Sequence, residues 1–173
     1  MLPLGISHLT SQFPRTCLLV CLSIILGIIF LSPLHASVVR HSSIKYKFVI
    51  WAEISTDYSP ENGDYVLVSW IGADPNDAGL KSGTILAKRI GCLPGERVRL
   101  EGGTIFWCED RYLGTALGET PVSQKRLAPY FFDSTPIAEG FVFLIGDTSN
   151  SYDSRYLGPV PVNQIYGRVV AGW

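Results

Sequence analysis

Two serines and one lysine carry the residue types from which an activated nucleophile can be built. Ser42 and Ser43 lie in the run His41-Ser42-Ser43-Ile44-Lys45-Tyr46-Lys47-Phe48, and Lys88 lies in Thr84-Ile85-Leu86-Ala87-Lys88-Arg89-Ile90. A serine hydroxyl attacks a carbonyl only when a neighbouring base takes its proton. Lysine can be that base if its pKa falls from about 10.4 towards neutrality, and removal from water is the ordinary cause. Alternation along a strand puts Leu86, Lys88 and Ile90 on one face and Arg89 on the other. An ammonium set between Leu86 and Ile90 is poorly hydrated, which suits a neutral Lys88, while Arg89 stays solvated. The bland alternative is a lysine that snorkels to water and a serine that does nothing.

A third polar run, Thr148 to Pro159, reads as a loop rich in hydrogen-bonding side chains. Within it Asp153 and Arg155 have the spacing of a surface ion pair. Just before the run, Asp147 shapes a turn and Gly146 supplies backbone freedom.

The elements that must position these groups are mostly strands. The 17 Gly and 11 Pro are spread along the chain and punctuate it into short segments. Phe48–Ile54, Asp64–Trp70, Thr84–Ile90, Phe141–Asp147 and the stretch from Gln164 to Trp173 read as strands, rich in β-branched and aromatic residues. Arg97–Glu101 and Thr104–Cys108 flank Gly102-Gly103 as a hairpin. Residues from Glu109 to Glu139 are broken by Gly and Pro and read as a long irregular excursion with room for one short hairpin. No internal repeat or long amphipathic helix is present. The expected fold is all-β, a coiled or barrel-like sheet, preceded by one N-terminal transmembrane helix.

That helix is expected from the 24 residues between Arg15 and Arg40, which include no Asp, Glu, Lys or Arg. The core from Cys17 to Leu31 is almost wholly apolar, and a bilayer crossing needs roughly 20 such residues. The division read from this is 1–36, a cytoplasmic stub with its anchor, and 37–173, an exported domain. The alternative is a cleaved signal peptide, with Ala36 at the cut site and an imperfect small-residue pattern. Arg40, Lys45 and Lys47 after the span oppose the positive-inside rule. Ser43 follows the span by so few residues that its site must lie at the membrane surface.

Net charge is -1, which leaves no electrostatic footprint for nucleic acid. Cys17 and Cys21 belong to the apolar span, while Cys92 and Cys108 lie in the exported part, where an oxidising compartment favours a disulfide between them. No CxxC spacing and only three His argue against zinc, and no metal or organic cofactor is expected.

Three segments together resemble the boxes of the type I signal peptidase superfamily, and most closely its TraF branch of conjugative transfer signal peptidases. Gly146-Asp147 followed by Ser151-Tyr152-Asp153-Ser154-Arg155-Tyr156 and Gly158-Pro159-Val160 resembles the last box. Lys88-Arg89-Ile90 with Leu93-Pro94-Gly95-Glu96 resembles the middle box, with Glu96 where the family has Asp. Asn62-Gly63-Asp64-Tyr65-Val66 resembles the segment between boxes. Ser43-Ile44-Lys45-Tyr46-Lys47-Phe48 resembles the nucleophile box, with Lys45 where the branch has Pro and His41 where relatives place a hydroxyl that assists the oxyanion.

The resemblance implies a Ser–Lys dyad of Ser43 and Lys88, with Ser42 as competing nucleophile and Asp153 and Arg155 packed behind the dyad in support; since a carboxylate near Lys88 would raise the lysine pKa, the implied part of Asp153 is to orient through hydrogen bonds, not to act as a base. It implies a membrane-anchored serine endopeptidase, in the inner membrane with its catalytic domain on the periplasmic side, processing an exported precursor such as a pilin subunit. Components of a conjugation or secretion apparatus are implied as further partners. Whether the acyl-enzyme meets water or an amine within the pilin, closing a circular peptide, is left open. The alternatives are a housekeeping signal peptidase and a non-catalytic membrane-tethered scaffold of such an apparatus.

Overall fold

The computed structural model describes residues 17–23, 27, 33–41, 43–118, 126–130 and 134–173. The chain divides into a unit up to Pro33 and a compact unit Leu34–Trp173. In the first, residues 17–23 are helical. Among the described residues no helix is long and apolar enough to cross a membrane. Much of the apolar stretch lies outside the described residues.

The second unit is built on two antiparallel sheets. β1 (Leu34–Val38), β2 (Phe48–Glu53), β3 (Tyr65–Ser69), β4 (Ile85–Cys92), β8 (Phe141–Ile145), β9 (Val160–Pro161) and β10 (Ile165–Gly172) form the larger, in the order β1-β2-β10-β3-β4-β8-β9. β5 (Val98–Glu101), β6 (Ile105–Cys108) and β7 (Arg111–Thr115) form the smaller. Each strand expected from the sequence is present to within a few residues. β1 was absent from that reading: its five residues are all exposed, so burial leaves no alternating pattern to detect. Pairing with β2, from Leu34↔Ala52 to Val38↔Phe48, makes it a strand. β7 occupies the start of the Glu109–Glu139 excursion as the third strand of the small sheet.

β8 holds the two sheets to one interior. Phe143 and Ile145 pack with Phe106, Leu113 and Cys108 of the small sheet, while Val142 and Leu144 pack with Val66, Val68 and Ile90. A strand covered on both faces is apolar at every position, as Phe141-Val142-Phe143-Leu144-Ile145 is. Cys92 at the end of β4 is disulfide-bonded to Cys108 on β6, with 5.7 Å between their Cα atoms. The bond ties the large sheet to the small one beside the residues shared by both.

The polar run after β8 is not a solvated loop. It closes into one helical turn, α1 (Ser154–Leu157), whose four residues are all buried. Asp153 caps it by accepting from the Arg155 N–H, and the Ser154 hydroxyl accepts from the Leu144 N–H at 2.9 Å. Side-chain acceptors and donors replace water here, which is how so polar a sequence can be interior.

Candidate active site

Lys88 stands in mid-β4 on the face predicted from alternation, opposite Val66 in the register and beside Leu86 and Ile90. It is 2% exposed. Its Nζ donates to the Ser151 hydroxyl at 2.7 Å. Burial lowers its pKa from the usual 10.5 to about 8; the Asp153 carboxylate opposes this fall and the Arg155 guanidinium adds to it.

Asp153 and Arg155 form a buried ion pair, with Nη2 to Oδ2 at 2.7 Å and Nε to Oδ1 at 2.9 Å. Reading them as a surface pair fails because the run folds under β8. Arg155 also donates to the carbonyls of Thr115, Thr148 and Ser151. Asp153 accepts from the Gly146 N–H at 2.8 Å. The guanidinium thus gathers three carbonyls from two backbone segments beside one carboxylate, which neutralises part of its charge.

Ser43 is half-buried and lies after β1, in the turn that leads to β2. Its carbonyl accepts from the Asp147 N–H at 2.8 Å. The Asp147 carboxylate receives the Lys45 N–H at 2.9 Å, the Tyr65 hydroxyl at 2.9 Å and Arg89 Nε at 3.1 Å. One aspartate therefore clamps the Ser43 turn to β3 and β4, and Arg89 is ion-paired rather than merely solvated. Gly146 is needed for space: a Cβ there would collide with the Ser151 hydroxyl and with the Ser43 carbonyl. Its φ is not positive, so the backbone freedom expected for it is not what is used. The same contacts place the Ser43 backbone beside the hydroxyl that holds Lys88.

A groove of about 480 Å³ opens on this turn. One wall is Ser37–His41 with Ser43, the other Thr84–Ala87, and Val49, Leu67 and Tyr166 lie between. β8 pairs with β4 only at Arg89, Ile90 and Cys92, so among the described residues Ile85–Lys88 have no strand on that side. His41 is exposed on the groove wall, and its carbonyl accepts the Ser43 N–H at 2.7 Å. Ser42 lies outside the described residues. Cys92, Glu96 and Cys108 bring donor atoms within 4.8 Å of one another, but the two sulfurs are bonded together and offer no thiolate to a metal.

Ser151, Asp147 and Tyr65 were not among the candidates read from the sequence. Ser151 stood inside the quoted last box, yet nothing in its neighbours says that it faces β4 across a separation of 63 residues.

A sequence model of the family "Signal peptidase, peptidase S26" matches residues 9–173. The chain belongs to the signal peptidase family. Among curated proteins it is similar to the conjugal transfer protein TraF of Agrobacterium fabrum, 32% identical over 82 residues, covering 47% of this chain and 45% of that protein. The chain thus matches about half the length of that relative. Among solved structures, a signal peptidase I from Enterococcus faecalis V583 aligns over 66% of this chain and 98% of its own, at 22% identity and a TM-score of 0.40. Membership supports a signal-peptidase-type serine peptidase function, and in the structure the buried Lys88 amine lies against the Ser151 hydroxyl.

Proposed function

We propose that the protein is a membrane-anchored serine endopeptidase in which Ser43 is the nucleophile and Lys88 the general base. The observation that carries this is the buried Lys88 amine, of lowered pKa, on the Ser151 hydroxyl, which meets the Ser43 backbone at Gly146, while Ser43 itself lines the groove. Ser151 is the rival nucleophile because it touches Lys88 directly, but it is 3% exposed and does not line the groove. It suits the part of a hydroxyl that orients the amine.

A substrate segment entering the groove meets the unpaired side of Ile85–Lys88 and can add there as a strand. Neutral Lys88 takes the Ser43 hydroxyl proton, and the Ser43 oxygen bonds to the scissile carbonyl carbon. The C–N bond then breaks, with the proton passing to the leaving amine. Water, entering by the same base catalysis, releases the acyl group and regenerates Ser43. In the present turn the Ser43 N–H is engaged by the His41 carbonyl, so its service to an oxyanion requires that bond to open.

The substrate is read as an exported precursor of the conjugative kind, such as a pilin subunit, and the similarity to TraF supports this. The location is read as the inner membrane with residues 37–173 on the periplasmic side. The apolar segment before Arg40 and the exposed Leu34, Val38, Phe48 and Trp173 support that placement. A precursor-processing assay tests the dyad. Ser43→Ala is expected to abolish processing with the melting temperature unchanged, while Ser151→Ala retains a fraction of the parental rate, lower by roughly 10- to 100-fold. Full activity of Ser43→Ala, with loss in Ser42→Ala, would move the nucleophile by one residue.

A further inference from the structure

Tyr152 separates Ser151, which holds Lys88, from Asp153, which is ion-paired to Arg155. Its phenol is anchored far from its own segment. The hydroxyl donates to Asp74 Oδ1 at 2.5 Å and receives Asn76 Nδ2 at 3.3 Å. Both partners belong to the loop between β3 and β4, more than 70 residues away in sequence. That loop is itself fixed: Asp74 accepts the N–H groups of Leu80 and Asn76, and the Asn76 side chain exchanges hydrogen bonds with the Ala128 backbone. The Tyr152 ring stacks on Tyr156 at 5.3 Å and packs against the cores of both sheets. A ring wedged in this way, with its tip tied by a charged acceptor, fixes the backbone on either side of it. Neither hydrogen bond is needed to satisfy Lys88 or Ser151 directly.

We propose that Asp74 is a positioning residue for Lys88, acting through the Tyr152 phenol on the Ser151 hydroxyl. The inference rests on the reading of Lys88 as the base. If the phenol is released, residues 151–153 can shift, Ser151 leaves the amine, and water enters beside it. The charged groups that face Lys88 are Asp153 and Arg155, from the same segment, and they move with it. Added water raises the lysine pKa, so the neutral form needed for catalysis appears only at higher pH.

Two variants separate this from simple damage to the loop. Asp74→Asn weakens the charge-assisted bond but also disturbs the contacts to Leu80 and Asn76. Tyr152→Phe keeps the stacked ring and deletes only the hydroxyl. The full-length protein in detergent is followed by the pH profile of kcat/KM and, independently of turnover, by NMR titration of the Lys88 13Cε signal. An amine titrating near pH 8 is about one-tenth neutral at pH 7, and one titrating near 9 only about one-hundredth. Both variants are expected to lose about tenfold in kcat/KM at pH 7, to regain most of it above pH 10, and to titrate at higher pH in the NMR signal. The double variant should lose no more than either single one. A Lys88 titration and pH profile unmoved in Tyr152→Phe would overturn the proposal, whatever the loss of stability or overall rate. If Ser43→Ala and Lys88→Ala both process normally, the dyad reading fails, and the Lys88 titration still decides whether Asp74 positions the amine.

Discussion

At the residue scale the working parts are one amine and the groups that set its proton affinity. Lys88 is lowered to about 8 chiefly by burial, so its neutral form increases through that pH and processing should rise with it, levelling above about pH 9. Lys88→Arg keeps the charge but cannot give up its proton near neutrality, so it should be as inactive as Lys88→Ala, at least a thousandfold down. A processing assay at pH 8.5 reads this directly, and near-parental rates in Lys88→Arg would rule out a neutral base. The same burial sets a pH dependence of stability. The folded pKa lies below the unfolded one, so the unfolded chain binds more protons between about pH 8 and 10.5, and stability rises with pH across that window. Below pH 8 the penalty is present in full, on the order of 3 kcal/mol; above 10.5 it is gone. Lys88→Met has no such group. Its melting temperature relative to the parent should therefore decline between pH 8 and 10.5, and a flat difference across that range would show that the amine titrates normally.

At the element scale, the site depends on close approach of the Ser43 turn, the end of β8 and the run before α1. Gly146 marks the contact, since a Cβ would meet Ser151 and the Ser43 backbone together. Gly146→Ala is expected to cost about 1–3 kcal/mol and to cut processing at least tenfold, because relief requires moving either the nucleophile turn or the hydroxyl on Lys88. Thermal unfolding and the processing rate measured side by side test it; a variant as active as the parent would mean that the two serines are not held by this contact. The strands themselves were legible because one or both faces are buried: β4 shows Leu86, Lys88 and Ile90 in alternation, and β8 is apolar throughout. β1 was not legible, because an exposed edge strand carries no such record. α1 was hidden for a different reason. Its polar residues satisfy one another inside the protein, a pattern that a sequence cannot distinguish from a wet loop.

At the scale of the whole molecule, side chains of β8 pack in both hydrophobic clusters, against the small sheet and within the large one, and the Cys92–Cys108 bond joins the two sheets beside it. The apolar segment before Arg40 leads into a unit whose first strand and last residue expose Leu34, Val38 and Trp173. The expectation is a chain that sediments with membranes and resists extraction at alkaline pH, with its N-terminal segment retained. Release into the soluble fraction with an N-terminus at Ser37 would establish cleavage after Ala36 instead. In the structure Ala36 is paired with Ile50 and Ser37 with Val49, and Ser37 accepts from Trp51 Nε1, so that bond sits within an ordered strand.

The sequence by itself determined the β-rich class, the strand faces and the residue types of the site, because alternation and turn residues are local properties. It placed Lys88 on an apolar face, and the boxes supplied Ser43, Asp153 and Arg155 by resemblance. Only the tertiary structure decided that Ser151 holds the amine, that Asp147 clamps the Ser43 turn, and that Arg155 reaches the carbonyl of Thr115. Each of these is a meeting of segments distant along the chain: Lys88 with Ser151, Lys45 with Asp147, Tyr152 with Asp74. Such meetings depend on how two sheets pack around β8, and no periodicity in a single segment encodes which partner waits across the gap.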